Sequence, residues 1–190
     1  MYWRKSIGTG YSAPVVCGDR LVLFHRQGDR EIVDCLNAET GDAIWSFDYP
    51  TAYRCPYEYS SGPYSTPALE TNRVYAWGAE GRIHCLDLRD GSPVWQRHLR
   101  DDFSVAEGLF AVGSSPLVWD DRLILIVGGE EQNAGIVALD KTTGRTLWTA
   151  TDHAAGYATP VAATIHGRHH IFALTAAGLV SLDPTNGAVD

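Results

Sequence analysis

Three absences bound this 190-residue chain. It has no run of about 18 apolar residues, so the sequence offers no membrane-spanning helix. It has no excess of basic residues: 15 Lys and Arg stand against 23 Asp and Glu, giving a formal charge of −8. That balance argues against a nucleic-acid partner, which requires a basic face to meet phosphate. No CxxC or CxxC…HxxxH pattern and no adjacent cysteine pair occurs among its four cysteines, so a zinc site is not expected. Phosphate-loop, dinucleotide-binding and Ser-His-Asp signatures are missing too; Gly8-Thr9-Gly10 precedes a strand-like run rather than a helix. The first residues, MYWRKSIGTG, lack the apolar core of a signal peptide, but they fall inside a repeat and exclude little.

What is present is a repeat. LNAETGDAIW (36–45), LDLRDGSPVW (86–95), LDKTTGRTLW (139–148) and LDPTNGAVD (182–190) share one pattern. Each copy is preceded by the same order of signals. A small-residue step ends in Pro14, Pro67, Pro116 or Pro160, spaced by 53, 49 and 44 residues. A turn and a β-rich run follow (LVLFH, VYAWG, LILIVG, HIFALT), then a glycine-bearing loop and a third run (EIVDCL, RIHCL, GIVAL, LVSL). The fourth run is expected to end on the tryptophan. Four strands at this period predict an all-β fold, a β-propeller of four-stranded antiparallel blades. The expected divisions are a remnant of a preceding blade at 1–10, blades at 11–48, 64–99 and 113–150, and an incomplete blade at 157–190.

The repeated turn explains its own residues. Asn37, Asp87, Asp140 and Asp183 open it with a short side chain that accepts backbone N–H groups two or three residues on. Gly41, Gly91, Gly144 and Gly187 close it where a positive φ is needed. These are expected to be structural, not catalytic. Cys35 and Cys85 align with Ala138 and Ser181, a pattern of small buried positions, so the cysteines are expected to be inert core thiols.

The motif [LA]-[DN]-x-x-[TDN]-G-x-x-[LIV]-W resembles the tryptophan-docking motif of the pyrroloquinoline-quinone (PQQ) propeller repeat. The segments WRKSIGTGYSAPVV, GAEGRIHCLDL and GIVALDKTTGRTLWTATD resemble PQQ-binding-like repeat proteins of bacteria. The superfamily holds quinoprotein alcohol dehydrogenases and non-enzymatic relatives such as the propeller lipoprotein of the outer-membrane β-barrel assembly machinery. The resemblance implies that Trp45, Trp95 and Trp148 pack between blades, with Trp3 left from an earlier blade. It also implies a periplasmic or cell-envelope location. Family members usually have six to eight blades, so a partial propeller from a longer protein is expected. A closed four-bladed ring, with residues 2–6 completing the last blade, remains the other arrangement. An open arc would expose strand edges and tend to self-associate.

Two functions follow from the resemblance. The first is a rigid scaffold that binds a protein or small molecule on the face carrying the second-to-third-strand and blade-to-blade loops. The stretch YPTAYRCPYEYSSGPY (49–64) is the richest candidate there, with Tyr53, Arg54, Tyr57, Glu58 and Tyr59, and Arg26 from the loop at 25–30. The loops at 100–103 and 130–133 are expected on the same face. Packing of those tyrosines as a plug over the blade seam is the structural alternative. The second function is a fragment of a PQQ-dependent alcohol or sugar dehydrogenase. That activity implies PQQ over a tryptophan floor, usually beneath a disulfide of adjacent cysteines, Ca2+ on Glu and Asn oxygens, and an aspartate base. No catalytic or metal residue is identifiable for it in this sequence. His166, His169 and His170 flank a turn and are expected to be solvated, because adjacent strand residues point to opposite faces. His84 is expected as a packed strand residue.

Overall fold

The computed structural model describes residues 3–105 and 111–190. Residues 1 and 2 of the expected N-terminal remnant lie outside them. The chain forms two compact units, one on residues 3–96 with 111–112 and one on 97–105 with 113–190. The first unit holds β1(Val15–Cys17), β2(Arg20–Gln27), β3(Arg30–Asn37) and β4(Ala43–Pro50), hydrogen-bonded in chain order. It also holds β5(Ala68–Glu70), β6(Arg73–Trp77), β7(Arg82–Asp87) and most of β8(Pro93–His98), again in chain order. A short helix, α1(Leu99–Asp102), opens the second unit. That unit carries a four-stranded sheet of β9(Leu117–Trp119), β10(Arg122–Gly129), β11(Ala134–Asp140) and β12(Thr146–Ala150). Its other sheet has three strands, β13(Val161–Ile165), β14(Arg168–Thr175) and β15(Gly178–Leu182), with Val189 bridged to Leu182.

Strand alternation builds the core of each unit. On β2 and β3, Val22, Phe24, Val33 and Cys35 point to one side and meet Val74, Ala76, Leu86 and Leu88, with Trp45 and Tyr49 completing the layer. In the second unit Ile124, Ile126, Ile136, Ala138, Trp148 and Ala150 meet Ile171, Ala173, Val180 and Leu182 in the same way. Each large apolar side chain buried here stabilises by roughly 1.5–3 kcal/mol. A blade covered on both faces needs apolar residues at successive positions, which is why LILIV is fully buried.

The repeated turns have one geometry. Gly41, Gly91, Gly144 and Gly187 have φ of 75°, 75°, 73° and 74°. Each donates its N–H to the carbonyl of the Asn or Asp four residues earlier, at 2.8–2.9 Å. The opening side chain caps the turn: Asn37 Oδ1 accepts from the N–H groups of Glu39 and Thr40, and Asp140 Oδ1 from those of Thr142 and Thr143. Asp87 and Asp183 accept from the N–H of Arg89 and Thr185. A tryptophan from the preceding segment lies against three of these turns. Trp3, Trp45 and Trp148 donate Nε1–H to the carbonyls of Ala38, Leu88 and Pro184 at 3.1, 2.9 and 3.1 Å. A Cβ built on Gly41, Gly91 or Gly187 would lie 2.5–2.6 Å from the docked ring. Glycine is therefore required twice over, by the backbone angle and by the ring. Within its own unit Trp95 lies 6.1 Å from the Tyr75 ring, centroid to centroid.

Four expectations change. The fourth strand does not end on its tryptophan: β4 runs five residues past Trp45, and Ile44 is an extra residue between the pairs Leu36–Ala43 and Cys35–Trp45. The same bulge falls at Leu147 beside Trp148. A bulge bends and twists the strand, here directly before the docking ring. The loop at 25–30 is a tight hairpin, because Gly28 takes φ 60° and β2–β3 pairing reaches Gln27 and Arg30. Residues 130–132 form a 3-10 helix, and 100–102 belong to α1. Only Cys35 and Cys85 are core thiols; Cys17 and Cys55 are partly exposed, and all four are free.

Candidate functional site

The connection from β4 to β5, residues 51–67, is fixed from below by one side chain. Arg26 stands near the end of β2 and is 4% exposed. Its Nε donates to the Gly28 carbonyl at 2.8 Å. Nη1 donates to the carbonyls of Tyr53 and Ser61 at 2.6 and 2.8 Å, and Nη2 to that of Thr51 at 3.4 Å. A guanidinium has five N–H donors, and burying it is costly unless they are used. Carbonyls supply that role here, and two ends of one connection are tied to the β2–β3 hairpin. Arg26 was expected as a contact residue on the recognition face; it is instead an internal clamp. Further bonds stiffen the same connection: Cys55 N–H to Ser61 Oγ at 3.0 Å, Tyr64 hydroxyl to the Ser60 carbonyl at 2.9 Å, and Thr51 N–H to the Asp29 carbonyl at 2.9 Å.

On this frame the tyrosines divide. Tyr49 is buried and donates its hydroxyl to Glu31 Oε2 at 2.5 Å, while Glu31 Oε1 accepts the Ala79 N–H at 3.0 Å. Burial raises the carboxyl of Glu31 and raises the Tyr49 hydroxyl well above its usual range. A Cβ on Gly78 would overlap both Glu31 and Tyr49. His84, 3% exposed, lies 4.2 Å from the Tyr49 ring, and burial lowers its pKa to about 4. Tyr64 packs edge-on to Tyr11 at 5.0 Å. Tyr53 is half-buried. Tyr57 and Tyr59 are outward, 48% and 59% exposed, with ring centroids 6.4 Å apart. Glu58 between them is exposed, and Arg54 is exposed with Nη1 on the Tyr53 carbonyl at 2.9 Å. Five of the six candidate residues thus share one braced connection.

Cys55 belongs to the same connection and is partly exposed. Burial opposes its ionisation, but hydrogen bonds from the backbone of Tyr57 and from the hydroxyls of Tyr64 and Tyr53 leave its pKa below the ordinary thiol value. Sequence reasoning placed this thiol in the core; its neighbours are contributed by turns that no alternation pattern encodes. In the second unit, His169 bonds Thr164 Oγ1 at 2.9 Å and His170 bonds Asp190 at 2.9 Å. Among the described residues no three His, Cys, Asp or Glu side chains gather as a metal site. Calcium takes six to eight oxygen ligands, and among the described residues the acidic side chains do not converge to supply them. The free, separated cysteines also do not match the disulfide of a quinone site. The described residues do not fit PQQ and calcium.

Sheets of antiparallel strands joined in sequence, three of them carrying a tryptophan-docked turn, define a β-propeller repeat protein. Residues 29–190 match the PQQ_2 family, described as outer membrane protein assembly factor BamB, and the chain belongs to that family. It is 34% identical over 116 residues to a BamB of Kangiella koreensis, covering 60% of this chain and 26% of that protein. It is also 27% identical over 124 residues to the quinohemoprotein alcohol dehydrogenase of Comamonas testosteroni, covering 62% and 16%. Among solved structures, BamB from Moraxella catarrhalis superposes with a TM-score of 0.60 at 22% identity, over 93% of this chain and 46% of that one. That likeness shows the fold. The chain spans about a quarter to a third of the length of the BamB relatives it matches.

Proposed function

We propose that this chain is part of a non-catalytic propeller scaffold of the cell envelope that recognises a protein through the β4–β5 connection and the hairpins beside it. The observation that carries this reading is the braced loop itself. Tyr57 and Tyr59 stand exposed on a connection whose carbonyls are clamped by Arg26. An exposed aromatic pair on a rigid frame loses little entropy on binding and gives large contact area. The relatives named as outer membrane protein assembly factors support a periplasmic, protein-binding role for the full-length protein. A photo-crosslinking residue at Tyr57 of the full-length protein, in its native envelope, is expected to capture a discrete protein. The same residue at Glu39, in a repeated turn, is expected not to. Equal capture from both positions overturns the assignment of the face. The likeness to the Comamonas dehydrogenase favours a second reading, a piece of a PQQ-dependent alcohol or sugar dehydrogenase.

A further inference from the structure

Beside the tyrosine loop lies a cleft of about 570 Å3, lined by Asp29, Pro50, Thr51, Ala52, Arg54, Glu80 and Arg82. Its size falls within the range of small ligand clefts. All of these residues belong to the first unit, where the β2–β3 turn, the β4–β5 connection and the β6–β7 turn meet. Three observations about its polar groups point to a ligand. Thr51 is 4% exposed, and its Oγ1 has no hydrogen-bond partner among the described residues. Buried hydroxyls are normally satisfied, and an orphan costs on the order of 1–3 kcal/mol. The Arg82 guanidinium, exposed at the cleft, makes no hydrogen bond or ion pair among the described residues, and Arg54 commits one nitrogen to a carbonyl. Glu80 is held by one oxygen, Oε1, on the Ala52 N–H at 3.1 Å, which leaves Oε2 and the Asp29 carboxylate as acceptors.

We infer that this cleft binds a carboxylate flanked by N–H groups, as in an extended peptide segment carrying an acidic side chain. Two guanidiniums with vacant donors match a planar carboxylate, which they bind in forked, charge-assisted geometry. A bare anion fits poorly, because Asp29 and Glu80 balance the two arginines and would repel it. A ligand that brings N–H donors beside its carboxylate satisfies both signs at once, and the Thr51 hydroxyl completes the set. A free α-amino acid offers the same chemistry, with an ammonium in place of peptide N–H groups. The inference rests on the loop-face reading above and narrows it to one subsite and one ligand class.

The test is an NMR titration of the full chain, following the amides of Thr51, Ala52 and Arg82. The probes are the acetylated, amidated tripeptide Ala-Glu-Ala, its Ala-Gln-Ala counterpart, and free L-glutamate. Saturable shifts with the glutamate peptide are expected, with binding at least about tenfold weaker for the glutamine peptide. Arg54→Gln and Arg82→Gln should each weaken the glutamate peptide by roughly tenfold, and Thr51→Val should weaken it severalfold with the other amides unmoved. Affinity should also fall with added salt, since the cleft is open to solvent. Stronger binding of free glutamate than of the peptide would keep the site and identify its ligand as an amino acid. Equal binding of the two peptides, or no effect of either arginine change, overturns the inference. If the crosslinker placed at Tyr57 captures a discrete partner while the arginine changes leave peptide binding untouched, the face stands and the cleft does not. If the cleft binds as stated but Tyr57 captures nothing, the face reading fails separately.

Discussion

At Gly91 a single methyl group would collide with the Trp45 ring and would also force an L-residue to φ 75°. The left-handed region costs a non-glycine residue roughly 1–2 kcal/mol, and displacing a docked indole adds more. Gly91→Ala is therefore expected to lower stability by about 2–4 kcal/mol in urea unfolding followed by tryptophan fluorescence. Trp45→Phe loses the hydrogen bond to Leu88 and leaves a void where part of the indole packed, and should cost about 2–3 kcal/mol. A Gly91→Ala loss below about 1 kcal/mol would mean that the ring yields freely. His84 supplies a pH effect at the same scale. Burial against Tyr49 and Phe47, then the charge of Arg82, holds its pKa near 4, against an ordinary 6.5. Between those values the unfolded chain binds the proton and the folded chain does not, so stability falls as pH drops from about 6.5 to about 4. The full span is worth up to about 3 kcal/mol. Glu31, raised by burial, contributes the opposite slope just above its ordinary value. Comparing wild type with His84→Gln separates the two, since Glu31 is common to both. The variant should lose less stability over that range, and identical pH slopes would remove His84 as the cause.

The β4–β5 connection behaves as an element in its own right because Arg26 holds both of its ends. Arg26→Gln leaves several buried carbonyls without donors, so the connection should open more often. Hydrogen exchange at 53–62 is expected to accelerate by about tenfold or more, while the strands β2 and β3 remain protected. Unchanged exchange there would show that the remaining contacts suffice. None of this was legible in the sequence. Arg26 lies in the polar stretch His25–Arg30, and a lone arginine beside Gln, Gly and Asp reads as surface; its burial follows from where residues 51–61 fold back. The cleft was hidden for a similar reason, since Asp29, Thr51 and Arg82 come from three separate turns. The blades were legible because their rule is local. Asp140, Gly144 and Trp148 recur at the spacing that one turn and one bulged strand require, and the same trio appears at 37–45 and 87–95. The bulge at Ile44 and Leu147 left a trace only as an apolar residue before each tryptophan.

At the scale of the molecule, one blade architecture serves both assembly factors and quinone-dependent dehydrogenases. Nothing in the docked turns distinguishes the two, because Asp87, Gly91 and Trp45 are fully used in folding: Asp87 is held to about 2 by Arg89 and by the turn N–H. Activity therefore has to come from a converging donor set, and fold alone carries no prediction of it. Several described acidic side chains act as turn caps, such as Asp140 and Asp183, or as ion-pair partners in Arg30–Asp48 and Arg73–Asp87. The decisive measurement adds PQQ and calcium to the full-length protein with an artificial electron acceptor and a panel of alcohols and sugars. No substrate-dependent dye reduction is expected, and no saturable change in PQQ absorbance on titrating this chain. Dye reduction that depends on PQQ, calcium and substrate together would overturn the scaffold reading and assign the fold to redox chemistry. Reduction without substrate dependence would trace to the quinone itself and leave the scaffold standing.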